Sequence, residues 1–343
     1  MLGLVIWMGV LGHDIPPISR VPIEESVSRF EFESKHMGTV FRIVLYAADA
    51  ATAKKAADAA FARVADLDDC MSDYKQTSEL MQLCKAFATE VGEPRKVSDD
   101  LFLVLSKAEE LSMRCDGAFD ITVGPMVQLW RHARRTQELP DPKEFAAARS
   151  RVGYQKVKLD PVKKTVLLTV PGMQLDLGGI AKGFAADEAL KLLSSQFGIK
   201  RALVGAYGDI VCGDPPPGKD FWTVDIAPIA KSQKPRTLHL ANAAVSTSGD
   251  LEQFVVIKGV RYSHVVDPKT GLGLTGRRSV TVVAPNGITA DSMTKAVSVL
   301  PPEQALKLVE ETRGAAAYIV ILDKDEKPVV TASKRFPTFA KND

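Results

Sequence analysis

The sequence predicts an α+β fold in which mixed, mostly antiparallel sheets carry packed helices. Short β-branched and aromatic runs alternate apolar with polar residues, as half-buried strands do. Longer stretches repeat their apolar residues at helical spacing. The two kinds of segment mix without the strict alternation that marks a parallel α/β sheet. At 343 residues, 45% hydrophobic and 25% charged, the chain has the composition of a globular protein.

Residues 1–12 are apolar but too short to span a bilayer. They resemble the core of a signal peptide, although no Lys or Arg precedes them. No cysteine follows closely, so a lipoprotein acylation site is not expected. Residues 1–22 are expected to lie outside the fold, and 23–343 to form a single domain. Residues 38–46 read as a strand. Residues 51–71 carry Phe61, Val64, Leu67 and Met71 at helical spacing. Ser98 is a good cap for a helix running to Met113, with Asp99 and Asp100 in its first turn. Leu101, Val104, Leu105, Ala108 and Leu111 would form its buried stripe, and Asp116-Gly117 would end it. Residues 141–150 form a shorter helix, and 157–170 a hairpin about Asp160-Pro161. A helix is expected over 187–197. Strands follow at 202–204, 210–212, 221–226, 237–240, 254–257, 262–266 and 279–284. Helices at 291–299 and 303–312 precede a hairpin of 316–322 with 328–332. No repeat, low-complexity tract or linker divides the chain.

A net charge of +2 and the lack of any basic run give no reason to expect nucleic acid. Aromatics make up 7%, too few for a surface that stacks single strands. Cys70, Cys84, Cys115 and Cys212 form no C-x-x-C pair and lack the spacing of a zinc site. They read as small buried residues or as one disulfide.

The most informative stretch is 175–187, Leu-Asp-Leu-Gly-Gly-Ile-Ala-Lys-Gly-Phe-Ala-Ala-Asp. It joins a strand to a helix and holds Asp176, Gly178, Gly179, Lys182 and Gly183. Glycines there let backbone approach a ligand. The N–H groups that open a helix attract anions, and a lysine adds a point charge for phosphate. The pattern is neither a P-loop nor the dinucleotide fingerprint. The plain alternative is a glycine-rich turn with a surface lysine.

Other segments set polar residues beside glycine. Asp116 to Asp120 places two acids and Phe119 just past a helix, where a capping acid is the simpler reading. Gly205 to Asp209 links two strands and would also suit a β-bulge. Ser246, Thr247 and Ser248 offer hydroxyls before Gly249-Asp250, either as a phosphate cradle or as an ordinary turn. His264 lies on a strand before an Asp267-Pro268 turn. Asp291 and Thr294, three apart, share one helix face. A carboxylate and a hydroxyl are hard oxygen ligands suited to magnesium shared with substrate phosphates, unless Thr289 or Asp291 is only a helix cap.

Taken together, and in order, these segments resemble the ApbE family of FAD:protein FMN transferases. The resemblance runs from about Met37 to Leu300. It rests on His36-Met37-Gly38-Thr39, Met71-Ser72-Asp73-Tyr74, Ser78-Glu79-Leu80 and Gly117-Ala118-Phe119-Asp120-Ile121-Thr122. It continues through 176–183, Thr247-Ser248-Gly249-Asp250, 264–271 and Thr289-Ala290-Asp291. It implies an ApbE-like fold and transfer of FMN from FAD to a threonine or serine hydroxyl, with AMP leaving. It implies targets among flavin subunits of membrane redox complexes. It also implies export, to the periplasm or the outer face of the cytoplasmic membrane. Met37, Tyr74, Ala118, Phe119, Asp120, Asp176 and Lys182 would line the FAD site, with Thr247, Ser248 and His264 beside them. Gly179 would give magnesium a carbonyl and Asp291 a carboxylate. FAD hydrolysis to FMN and AMP, or FAD binding without turnover, stays open at this point.

The chain departs from the family pattern in three ways, the first being that the acylated cysteine by which many members anchor is not found. Tyr207 stands where two glycines usually precede the aspartate. Lys295 stands four residues after Asp291, where many members have threonine, so Thr294 is the candidate hydroxyl ligand. Two unit cations about 4 Å apart repel by about 4 kcal/mol at an effective dielectric near 20. Lys295 is therefore expected to turn its ammonium away on a four-carbon stem, leaving transfer magnesium-dependent. His264 has a suitable pKa range for a general base, and Asp267 either orients it or caps the turn.

Overall fold

The computed structural model describes residues 27–230, 233, 235–249 and 254–340. The expected leader, both ends of the expected domain and Asp250 lie outside the described residues.

The chain begins with a hairpin of β1 (Ser28–His36) and β2 (Thr39–Ala47). α1 (Ala50–Met71) is capped by Asp49, whose carboxylate accepts the Thr52 N–H at 2.8 Å. Next come α2 (Glu79–Ala86), the two-residue β3 (Arg95–Lys96) and α3 (Asp99–Arg114), with Ser98 as the expected cap. α4 (Gly124–Thr136) and α5 (Pro142–Arg149) precede the hairpin of β4 (Val157–Asp160) and β5 (Thr165–Leu168). α6 (Ala181–Phe197) leads into β6 (Ala202–Ala206) and β7 (Asp209–Cys212). Six strands follow: β8 (Trp222–Ile226), β9 (Arg236–Leu240), β10 (Ala243–Gly249), β11 (Phe254–Ile257), β12 (Val260–Val266) and β13 (Gly273–Thr275). β14 (Arg278–Ala284), α7 (Gly287–Val299), α8 (Pro302–Glu310), β15 (Ala316–Leu322) and β16 (Pro328–Ala332) complete the order.

The main sheet has the order β1-β2-β6-β7-β10-β14-β15-β16 and is antiparallel throughout. Its period-2 alternation sends side chains to two buried faces. Phe41, Ile43 and Leu45 of β2, with Val280 and Val282 of β14, pack against α1, α3, α6 and α7. Val44, Val245 and Val283 point the other way, onto Trp222, Val224 and Leu238 of the β8–β9 hairpin. A separate small core joins Met126 and Trp130 of α4 to Val255, Ile257 and Val266 of the three-stranded β11-β12-β13 sheet. The α+β expectation therefore holds.

Several elements were not anticipated. β1 alternates Phe30 and Phe32 with exposed charges at the edge of the main sheet. α4 opens on Gly-Pro, which reads as a turn, although Met126, Trp130 and Ala133 recur at helical spacing behind it. α7 starts four residues earlier than expected. Asn286 caps it through the Thr289 N–H at 3.1 Å, which makes Asp291 an interior helix residue and not a cap. Ser246 to Gly249 belong to β10, paired along their length with β14 and with β7 as far as Ser246, so this stretch is strand and not a turn. All four cysteines are free, with Cys84, Cys115 and Cys212 buried and Cys70 half-buried.

Candidate active site

Two glycines set the site. Gly183 in the first turn of α6 meets Gly287 at the start of α7. A Cβ on Gly183 would lie 2.1 Å from the Gly287 carbonyl oxygen, and one on Gly287 would lie 2.4 Å from that of Gly183. Only backbones without side chains can cross this closely. Asp187, one turn along α6, accepts the Gly287 and Ile288 N–H groups at 2.6 and 2.9 Å. It thereby satisfies orphan donors at the opening of α7. Burial pushes its carboxyl up to about 6, although both hydrogen bonds favour the charged form.

This crossing lays the fully buried Asp291 of α7 against the opening of α6. Asp291 Oδ2 accepts the Gly183 N–H at 3.2 Å and lies 3.4 Å from Lys182 Nζ. Its Oδ1 lies 3.2 Å from Lys295 Nζ. Burial works to raise the Asp291 pKa, but the Lys182 and Lys295 ammoniums outweigh it and hold the group below the usual carboxylate range. Lys182 Nζ also donates to the Gly178 carbonyl at 2.8 Å and lies 3.3 Å from Asp209 Oδ2. Burial pulls the Lys182 pKa down, and the charges of Asp209 and Asp291 more than reverse that. Asp209, buried at the start of β7, accepts the Ser246 hydroxyl from β10 at 2.5 Å. Burial, then the charge of Asp291, pushes its carboxyl up. Two carboxylates and two ammoniums thus form one partly enclosed group. At the opening of α6, the Ala181 N–H goes to the Leu177 carbonyl and the Gly183 N–H to Asp291. The anion drawn to this helix end is in part the protein's own.

Lys295 departs from expectation. Its ammonium does not turn away but lies between Asp291 Oδ1 and Thr294 Oγ1, 2.9 Å from the latter. The reason is steric as well as electrostatic. A Cβ on Gly179 would fall 2.9 Å from Lys295 Cγ and 3.6 Å from Phe119 Cε2, so the bare glycine leaves room for the lysine stem. The pair expected to hold magnesium is therefore already engaged by a cation.

The remaining candidates fall into separate places. Ala118, Phe119 and Asp120 are buried. Asp120 accepts the Thr122 N–H and hydroxyl at 2.8 and 2.6 Å and the Tyr154 N–H at 2.8 Å, so its oxygens hold this loop in shape. Burial raises its pKa against those bonds. The Asp176 N–H donates to the Ile121 carbonyl at 2.8 Å, tying the loop to the central stretch. Asp176 accepts the Gly178 N–H at 2.8 Å and lies 3.4 Å from Arg131. Burial, then the nearby Asp73 charge, pushes the Asp176 carboxyl up while Arg131 opposes. Arg131 pairs with Asp73 at 2.6 Å and lies 4.3 Å from the ring centre of Tyr74, which is 70% exposed. Arg131 was missed in the sequence, since one arginine on a helix gives no signal until the fold brings Asp73 and Asp176 to it. Asp209 was missed as a charge partner because only the fold brings it to Lys182.

Met37 sits half-buried in the β1–β2 turn at φ 49°. Thr247 Oγ1 lies 2.9 Å from Thr281 Oγ1, and Ser248 is buried. The tip Tyr207 is 65% exposed at φ 59°. His264 is half-buried on β12, where the register with β13 shifts between Tyr262 and Val266. Asp267 accepts the Lys269 N–H at 2.8 Å and the Thr270 hydroxyl at 3.1 Å, so it caps the Asp-Pro turn. The structure gathers Lys182, Gly179, Asp291 and Thr294 into one cluster with Phe119 beside it, and joins Tyr74 to Asp176 through Arg131. Met37 and His264 stand on other elements. Among the described residues, no group of three or more His, Cys, Asp or Glu is placed to hold a metal.

Comparison with known proteins places the chain in a family. The model of the ApbE family matches residues 37–319. The FAD:protein FMN transferase of Haemophilus influenzae is 31% identical over 315 residues, covering 89% of this chain and 90% of the relative. That of Treponema pallidum is 32% identical over 305 residues, covering 84% and 83%. The solved flavin transferase ApbE from Vibrio cholerae superposes with a TM-score of 0.81 at 28% identity, covering 92% of this chain and all of that one.

Proposed function

The chain belongs to the ApbE family, and we propose that it transfers the FMN half of FAD to a threonine or serine hydroxyl of a target flavoprotein, releasing AMP. The observation that carries this reading is the enclosed Lys182–Asp209–Asp291–Lys295 group at the opening of α6. Phosphoryl transfer depends mainly on positioning and charge neutralisation. Fixed ammoniums in a partly enclosed site supply both without reorganising. The acceptor oxygen attacks the FMN-side phosphorus. The bond from that phosphorus to the bridging oxygen breaks, and AMP departs with that oxygen. The acceptor proton passes to His264, half-buried on β12 where the register with β13 shifts. Lys182 faces the pyrophosphate oxygens. The exposed Tyr74 ring, steadied by Arg131, offers a stacking surface for a flavin or adenine. Met37, Ala118, Phe119, Asp176, Thr247 and Ser248 complete the proposed FAD lining, and Asp120 supports it by holding its loop.

The magnesium implied by the resemblance would draw on Asp291, Thr294 and the Gly179 carbonyl. Lys295 already engages the first two, so these residues do not fit a divalent ion at that spot. We further propose flavin subunits of membrane redox complexes as targets and export as the location. The apolar stretch at 1–12 supports export.

The test incubates the purified protein with FAD and a sodium-translocating quinone reductase flavin subunit, followed by a denaturing gel. Flavin fluorescence on the subunit band is expected. AMP release without a fluorescent band would mean hydrolysis instead.

A further inference from the structure

We propose that the Lys295 ammonium takes the cation position of this site, so that a side chain of the protein does the charge neutralisation otherwise left to a divalent metal. The inference rests on the flavin-transfer reading for its chemistry, and on geometry for its position. Lys295 Nζ lies 3.2 Å from Asp291 Oδ1 and 2.9 Å from Thr294 Oγ1. The Thr294 hydroxyl donates its own hydrogen to the Asp291 carbonyl at 2.7 Å, which leaves its lone pairs to accept from the lysine. An ammonium has three donors. With two used here, the third is free for a substrate phosphate oxygen. The stem is seated against Gly179, where a Cβ would collide with Cγ at 2.9 Å, so the glycine and the lysine fit as a pair. Charge agrees: Asp209 and Asp291 are balanced by Lys182 and Lys295 before substrate enters. A divalent ion at Asp291 and Thr294 would have to displace the ammonium against that balance.

The test uses the full chain, with Mn2+ as a spectroscopic probe read by electron paramagnetic resonance, both with FAD and without ligand. The wild type is expected to show no saturable Mn2+ site at millimolar metal, and its FAD turnover is expected to survive excess EDTA. Lys295→Thr is expected to gain one Mn2+ per chain, with FAD or without ligand, about 10- to 100-fold tighter than any wild-type binding. Lys295→Met keeps the stem and removes the charge, so it is expected to gain a weaker site. It also decides the question if the threonine variant fails to fold. One stoichiometric Mn2+ site in the wild type overturns the proposal, as does failure of both variants to gain one. If the wild type fails to bind FAD, the flavin-transfer reading falls, and the ligand-free titrations still decide the place of Lys295.

Discussion

The α6–α7 junction and the β11-β12-β13 sheet are built on opposite terms. At the junction, backbones touch at Gly183 and Gly287, and each charged group has two or more fixed partners. On the small sheet, His264 is half-buried on a strand whose register shifts beside it, next to a turn that caps itself through Asp267. Charge that must meet a fixed pyrophosphate gains from being held in place beforehand. A base that must meet hydroxyls on a separate protein needs access more than rigidity. On the proposed reading the junction supplies charge stabilisation and the sheet proton removal, and substitutions in each should fail differently.

The largest effect should come from the sheet and should be kinetic. His264→Ala is expected to slow transfer by roughly 10²–10⁴ while FAD still binds. Normal transfer at saturating FAD would remove the histidine from the chemistry. At the junction, stability and function should fall together. Asp291→Ala leaves two ammoniums facing each other across a buried site, the kind of broken pair that costs about 3–5 kcal/mol. Urea denaturation would measure this, and an unchanged midpoint would mean that the junction charges are not truly fixed. Lys182→Ala should weaken FAD binding by about 1–3 kcal/mol, the scale of a hydrogen bond to a charged group. Unchanged affinity in a fluorescence titration would place the lysine outside the phosphate site.

The smallest effect is a pH dependence of the junction itself. The folded-state pKa of Asp187, about 6, exceeds its ordinary value of 3.8. The folded protein therefore holds this proton more tightly than the unfolded chain. The stability it contributes is complete below about pH 4 and is lost as pH rises through 6, with a slope of at most about 1.4 kcal/mol per pH unit. Asp187→Asn should flatten the urea midpoint between pH 4 and 6. An identical slope in both proteins would rule out Asp187 as its source.

These two regions were not equally legible in the sequence. Gly179, Lys182, Asp291 and Thr294 stood out because glycines beside a lone lysine, and an acid with a hydroxyl three residues on, are local patterns. Most strands were legible for the same reason, from β-branched runs between turns. Asp209 and Ser246 were not, because their pairing with each other and with Lys182 exists only once β7, β10 and α6 come together. Arg131 was not legible either, because its partners Asp73 and Asp176 come from distant parts of the chain and meet it only in the fold. The direction of Lys295 was misread for a specific reason. A long stem favours escape to solvent when only charge repulsion is considered. The space that Gly179 leaves and the lone pair that Thr294 offers are visible only in three dimensions.

The most direct measurement is flavin fluorescence on the acceptor band after incubation with FAD in excess EDTA. If the fixed charges of the junction do the work of neutralisation, the band is labelled at the same rate with and without EDTA. A band that disappears with EDTA and returns with added magnesium would contradict that account.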